Sequence, residues 1–460
     1  MRSPLGDPLP PDIPSNTRAW PSHREIEPHE PRNIVLLVTH QIVLRIGWIF
    51  KTESVIMPAF LDTISGPGAG LLRGCMPVLN RVGQSVPPVF SADYLKAIPY
   101  KKRALAAFTA LMSVPCIAIS ALWFTTGGQS RVWAPWLFLG LYFVFFVFNG
   151  LYHLSFGTVQ GKLVRPTRRG LLLSVSTSVG TIPAMAFAAW LLPGWIEVPF
   201  PGFVYLFSFV AVCFCLSGLT AMLLFEPADT SDQKEESQST LGQSENRGGL
   251  IETWRALRRD RNLRRLVIVA MLFGSCLIIF PHYQALARER LGLTGVHLML
   301  WVVTQNAAVG IYSLFVGPLA DVRGYRLTLR LLIFGSGIAP AFAISLPHLP
   351  GYMGANLFWI VFIPLGITPL VLRTLLNYTL EICEITEQPR YLSTVNLCLA
   401  VPFLFSPAVG WLVDHAGFEL VFLSAVGLIM LGGLVTFFLD EPRLRARDGR
   451  TGAIGVGADE

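Results

Sequence analysis

Arg45, Lys51 and Glu53 stand inside a long apolar run that begins near Asn33, and Arg73, Asn80, Arg81 and Gln84 stand inside the next. An ionisable side chain at bilayer depth costs several kcal/mol unless it faces water, a cavity or a partner. Counting about 1.5 Å per residue from Asn33 puts Arg45 near the middle of a crossing helix, with Glu53 towards its outer end. Arg73, Pro77, Asn80, Arg81, Gln84 and Pro88 recur at intervals of three and four, so they share one helical face, again with an arginine (Arg81) near the middle. A face that polar must look at protein or water. Two chemistries follow. Arg45 and Arg81, with Lys51, would give a cavity positive potential suited to an anionic or zwitterionic ligand. Glu53, a carboxylate in a partly dry site, would be the proton carrier. The bland alternative is that Glu53 neutralises a basic neighbour and the arginines fix helix packing.

Softer polar stripes occur further along. Asn149, His153 and Gln160 share one face, Ser174, Thr177, Ser178 and Thr181 line another, and His282 and Tyr283 follow in a later segment. Gln305 pairs by spacing with Tyr312, Arg373 with Asn377, and Asn396 opens the eleventh run. The expected binding set is therefore Arg45, Asn80, Arg81, Gln84, Asn149, His153, Gln305, Tyr312 and Asn396, with Glu53 as coupling residue. The seven cysteines show neither metal-ligand nor disulfide spacing. No nucleotide-binding loop and no Ser-His-Asp, metal or paired-carboxylate constellation stands out, so neither enzymatic activity nor a cofactor is expected.

The elements that must position these groups follow from composition. A chain of 460 residues that is 52% hydrophobic and 14% charged, with mean hydropathy +0.53, carries too much apolar surface for one soluble core. Twelve spans are expected, at 33 to 60, 70 to 92, 103 to 125, 133 to 158, 171 to 193, 202 to 225, 264 to 286, 297 to 317, 328 to 347, 354 to 378, 391 to 413 and 418 to 439. The net charge of +7 is topological, because Lys and Arg fall mainly in alternate loops. Lys96, Lys101 to Arg103, Lys162 to Arg169, Arg323 to Arg330 and Arg390 all lie on one side with both termini, which places both ends in the cytoplasm. Arg288 and Arg290, beside Glu289, are the main exception. Nucleic acid is not an expected partner; the bilayer, a small solute and a coupling ion are. Residues 1–32 read as a polar tail, 33–225 and 264–440 as two six-helix halves, and 441–460 as a second tail. The 226–263 linker ends in a basic stretch with Leu250, Trp254 and Leu257 on one helical face, suited either to an anionic leaflet or to solvent.

Gly317 to Arg330 reads G-P-L-A-D-V-R-G-Y-R-L-T-L-R between two spans. Gly317 would allow close helix approach, Gly324 a tight turn, and Asp321 a bond to a helix N-terminus or an arginine. The stretch resembles the signature loop of the major facilitator superfamily, matched at Gly317, Leu319, Ala320, Asp321, Gly324, Arg326 and Leu329. The halves also look duplicated: Phe225-Glu226-Pro227 parallels Leu439-Asp440-Glu441-Pro442, and Ala92-Asp93 with Lys101 to Arg103 stands where Ala320-Asp321 with Arg326 stands later. The first copy of the loop lacks both signature glycines. The resemblance implies an all-α fold of twelve transmembrane helices in two pseudo-symmetric bundles that rock around a midplane site. It implies gating by Asp321, Gly317, Gly324, Arg323, Arg326, Arg373, Glu381 and Glu384, with Arg373 pairing to Asp321 or a loop glutamate. The expected function is secondary active transport of a small anionic or zwitterionic solute by a monomer in the inner or plasma membrane, with proton coupling as the leading version. A non-transporting sensor or scaffold and a multidrug-type exporter are the alternatives. Span five has Gly180 and Pro183 but no adjacent Gly-Pro pair, which weakens the exporter.

Overall fold

In a bilayer every backbone polar group must be satisfied within the protein, so long apolar runs become helices. The computed structural model describes residues 27–66, 68–227, 255–383 and 387–441, and contains no strand among them. Among the described residues, eleven helical segments are long and apolar enough to cross a membrane. Span one is Glu30–Phe50 followed by the short helix Ile56–Ser65, span three Lys101–Thr125, and span four Ala134–Leu163. Span five is Pro166–Ile196, and span six Pro199–Met222. Spans seven to twelve are Arg261–Leu291, Val296–Arg323, Tyr325–His348, Met353–Glu381, Arg390–Ala416 and Phe418–Phe438. Span two, Gly70–Ala97, is the long helix outside that set of eleven: its 28 residues are ample, but the polar face anticipated from Arg73 to Gln84 dilutes its hydropathy.

Three boundaries differ from the sequence expectation. Span one is not continuous over 33 to 60. It breaks at residues 51–55 and resumes to Ser65, because Pro58 has no N–H for the carbonyl four residues back and is tolerated only in the first turn of a new helix. Residues 27–32 do not belong to a tail: Glu30 is buried and accepts from the Arg165 amide at 3.0 Å while pairing with the Arg165 and Arg168 guanidiniums. In the linker, residues 255–259 are helical and Ala256 and Leu257 pack onto the core of the second half rather than onto lipid; Leu250 and Trp254 lie outside the described residues.

The duplicated Glu-Pro pair has a structural job. The Glu226 carboxylate accepts the amides of Lys101 and Lys102, the first residues of span three, at 2.8 and 2.7 Å, and pairs with Lys162 at 2.8 Å. A carboxylate at a helix N-terminus meets unsatisfied donors and the positive end of the dipole. Lys101 Nζ in turn donates to the carbonyls of Leu95 and Ile98 at the end of span two. Glu441 stands at the matching place beside Gly324, which adopts φ +85° ahead of span nine, and pairs with Arg326 at 3.6 Å. Since the Glu226 side chain is fully buried, Glu226→Ala takes the carboxylate from Lys162 and leaves two helix-end amides without their acceptor. It is expected to cost about 3 kcal/mol, read as a lowered unfolding temperature of the detergent-solubilised protein; an unchanged transition contradicts the assignment.

Spans one to six pack together, as do seven to twelve, and the halves meet where span two lies on span eleven and span five on span eight. Buried apolar residues divide unevenly between the two ends of the molecule. One cluster runs through the first half and continues into the second only at the end away from the chain termini, through residues such as Tyr283, Trp301, Ala343, Phe362 and Phe422. The other, with Leu266, Leu329, Leu375 and Val395, belongs to the chain-terminal end of the second half alone. The halves therefore share a core at the far end and part company at the terminal end.

Candidate functional site

A cavity of about 400 Å3 lies between the halves. Span one contributes Gln41, Leu44, Arg45, Trp48 and Ile49, its break contributes Thr52 and Glu53, and spans four and five add Tyr152, His153 and Thr177. From the second half come Gln305, Asn306, Val309 and Ser313 of span eight and Pro369, Leu370 and Arg373 of span ten. An interrupted helix, span one, and a locally tightened one, span ten, flank it. Span ten tightens at Gly366 and Ile367, whose amides bond three residues back to the Ile363 and Pro364 carbonyls while both keep helical dihedrals, and a Cβ on Gly366 would sit 2.7 Å from Ala308 Cβ. Pro369 then sits in the first turn of the next piece. The break in span one frees backbone where Thr52 and Glu53 border the cavity.

The polar groups of the site fall into two sets. At the far end of the cavity Glu53 accepts from both Lys51 Nζ and the Tyr142 hydroxyl. Lys51 is 1% exposed and lies over the rings of Trp48 and Phe145, 4.0 and 4.2 Å from their centroids. Ser54, in the same break, donates to Gln305 Oε1 at 2.6 Å and so ties the halves together. Closer to the chain termini by about two helical turns, Arg45 and Arg373 border the cavity from opposite halves, and the charge of one acts on the other. Neither makes a hydrogen bond or ion pair among the described residues, and Arg45 Nε is buried without a partner. Gly180 lets span five approach so closely that a Cβ there would stand 3.4 Å from Arg45 Cδ. Gln41 donates to the Tyr152 hydroxyl at 2.7 Å, leaving that hydroxyl's own proton for a ligand.

Arg45, His153, Gln305 and Glu53 of the expected set thus border one hollow. The rest of the expected set lies outside its lining. Arg81 donates to the Asn396 carbonyl at 2.8 Å across the contact of spans two and eleven. Asn149 is fully buried with both amide atoms unpartnered. Asn80 stands beside Tyr142, Tyr312 packs on the second core, and the Gln84 carbonyl abuts Gly150. Arg373, expected at a gate, faces the cavity instead. Lys51 adds no positive potential, since Glu53 neutralises it inside its aromatic box. Of the expected gate, Arg326 turns to Glu441 and to the Leu439 carbonyl of its own half rather than to Glu381. Arg323 and Asp321 end span eight, and Gly317 has open space where a Cβ would go, so it is not a close-approach point. Glu384 lies outside the described residues.

The contacts that seal the cavity were not among the sequence expectations, and they lie at the far end. A Cβ on Gly410 of span eleven would stand 2.1 Å from the Gly70 carbonyl oxygen and 2.9 Å from Gly74 Cα; one on Gly74 would stand 2.4 Å from the Ser406 carbonyl oxygen. Small residues four apart on both helices allow this backbone-to-backbone seam. Asp414 accepts the Gly70 and Leu71 amides at 2.9 and 3.2 Å, capping span two from the other half. Beside it Arg73 bonds Asp62 at 2.7 Å and approaches Glu289 and Asp414 at 3.5 and 3.9 Å, while Arg288 pairs with Asp62 at 3.2 Å. The signals were present in the sequence: the Gly70/Gly74 and Ser406/Gly410/Asp414 spacings, and the out-of-place Arg288-Glu289-Arg290.

Two helical bundles that share a core at one end and enclose a solute-sized hollow between them define a carrier-type membrane protein. Residues 89–380 match the family model described as Major Facilitator Superfamily, and the chain belongs to that family. No curated protein matches by sequence. Among solved structures it is similar to a mutant form of the nucleoside transporter NupG at 13% identity and TM-score 0.65, over 90% of this chain and 100% of that one. It is similar to a D-xylose-proton symporter at 14% identity and TM-score 0.66, over 89% and 98%. A bacterial homologue of the iron transporter ferroportin, in its inward-facing state, aligns at 12% identity and TM-score 0.61, over 89% and 98%. At such identities the likeness concerns the fold.

Proposed function

We propose that the chain is a secondary transporter that moves a small anionic solute by alternating access, with Glu53 carrying a coupling proton. The nucleoside, sugar and iron transporters that share the fold differ in cargo, so the solute must be read from the cavity. The observation that carries the reading is the pair of arginines, Arg45 and Arg373, facing one hollow from opposite halves with no acidic partner among the described residues. A cation at bilayer depth is retained where it borders water or a ligand. The alternation of basic loops supports cytoplasmic termini, and with that orientation the sealed far end is external and this conformation is the one open to the inside.

The geometry around Glu53 supports the coupling role. Ionised, it takes the Lys51 and Tyr142 donors; protonated, it leaves Lys51 held by two aromatic faces, each worth up to about 2 kcal/mol when desolvated. In proteoliposomes, labelled inorganic phosphate, lactate, succinate or glutamate should show counterflow, and an inward-directed proton gradient should drive accumulation. Glu53→Gln is expected to abolish gradient-driven accumulation while sparing counterflow, and Lys51→Met with Glu53→Gln, which removes the stranded ammonium, should behave alike. Counterflow of no anion favours a sensor that has kept the fold; gradient-driven uptake that survives in both variants removes the coupling role.

A further inference from the structure

The charges that border the cavity limit the solute more narrowly than its sign. Arg45, Arg373 and Glu53 are the charged residues among the described lining, apart from the imidazole of His153. When ionised, Glu53 is matched by Lys51 directly behind it, and a coupling proton on Glu53 would only raise the excess of positive charge. With His153 uncharged, the hollow holds two positive charges in excess. A zwitterion leaves both uncompensated in a low-dielectric site, a monoanion leaves one, and a solute with two negative charges leaves none. Uncompensated charge is what such an environment penalises most.

From this count we propose that the transported solute is a dianion of the dicarboxylate or phosphate-ester class that places one anionic group on each arginine, which rests on the anion-carrier reading above and narrows it. The two guanidiniums are on different halves and repel each other at the end where the halves have separated. A bridging dianion replaces that repulsion with two attractive contacts, so it draws spans one and ten together and lets the chain-terminal side close behind it. A guanidinium presents a planar fork that matches a carboxylate or phosphate face with two parallel N–H donors. Tyr152, His153, Asn306 and Ser313 supply further polar contacts around the rest of the solute. The same arginine pair therefore acts both as the binding site and as a charge lock on the conformational change.

The test is binding of succinate, glycerol 3-phosphate, lactate and acetate to the purified full-length protein at constant ionic strength, followed by thermal shift and by calorimetry. Wild type should bind succinate or glycerol 3-phosphate at least about tenfold more tightly than lactate or acetate. Arg45→Gln and Arg373→Gln should each erase that preference, with the double variant little worse than either single one, because a dianion bridging both groups couples them. Succinate and glycerol 3-phosphate used separately distinguish the carboxylate from the phosphate form of the solute. Dianions no better than monoanions, or a preference that survives in Arg373→Gln, overturns the two-point proposal while leaving the anion reading intact. If none of the four binds, and arginine or glucose shifts the transition instead, the anion reading itself fails.

Discussion

Gly410→Ala should leave the protein folded but unable to seal its far end. The added methyl would stand 2.1 Å from the Gly70 carbonyl oxygen, a distance no rotamer can relieve because both partners are backbone. Separating the helices forfeits the Asp414 cap on span two, so the closed state should lose at least about 2 kcal/mol, roughly a thirtyfold shift in population towards far-end opening. Transport should fall by a similar factor. A cysteine placed at Ser54 in a background free of the seven native cysteines, buried in the sealed structure at 1% exposure, should become reactive to a membrane-impermeant thiol reagent added from the far side. Gly317→Ala, at a glycine with nothing within 4 Å of the new methyl, is the matched control and should change neither reading. Unaltered Ser54 reactivity in Gly410→Ala removes the seam from any role in gating.

The second large effect belongs to the Arg73 cluster. Arg73 and Asp62 are 1% and 2% exposed and bond at 2.7 Å, while Arg288, Glu289 and Asp414 surround them from the other half. Removing one partner of a buried pair leaves a charge without its counter-ion and costs about 3–5 kcal/mol, whereas removing both is often nearly neutral. Arg73→Gln should therefore weaken the closed far end strongly and cut transport. Arg73→Gln with Asp62→Asn should recover part of the loss, because Asp62, left with Arg288 alone in the single variant, is then uncharged. Arg290 and Glu419, an exposed pair at the same end, provide the contrast: Arg290→Gln should change stability by less than about 1 kcal/mol. A double variant no better than Arg73→Gln alone would show that the cluster acts through Glu289 or Asp414 rather than through Asp62.

The fold is largely legible in the sequence because bilayer physics acts on runs of residues. Twenty or so apolar positions in a row, basic residues in alternate loops and the glycine-marked loop at Gly317 to Arg330 each survive small errors in boundary. What escapes is local and long-range at once. The break after Lys51 depends on Pro58 and on what Ser54 meets in span eight; which side of span ten meets the hollow depends on how closely Gly366 packs against Ala308. Arg81 and Arg45 look alike in sequence, each an arginine near the middle of an apolar helix. They separate only when the partner helix is known: Arg81 meets the carbonyl of Asn396, and Arg45 meets a hollow. The far-end cluster is hidden for a related reason. Asp62 bonds a guanidinium on span seven and Asp414 bonds amides at the start of span two, and helical periodicity carries no record of such pairs. Glu226 and Glu441 are the opposite case, a repeated dipeptide whose glutamates stand at matching places in the two halves, one on the amides of span three and the other on Arg326.

If the two halves rock about the cavity, the far end opens when the chain-terminal end closes. Spin labels at Val132 and Tyr352, exposed far-end positions on opposite halves, would report this directly by pulsed electron double resonance in lipid nanodiscs. Rocking predicts a short-distance population matching the sealed structure together with a longer one, the longer rising in Gly410→Ala and in Arg73→Gln. A single distance, unmoved by either substitution or by saturating succinate and glycerol 3-phosphate, would contradict it.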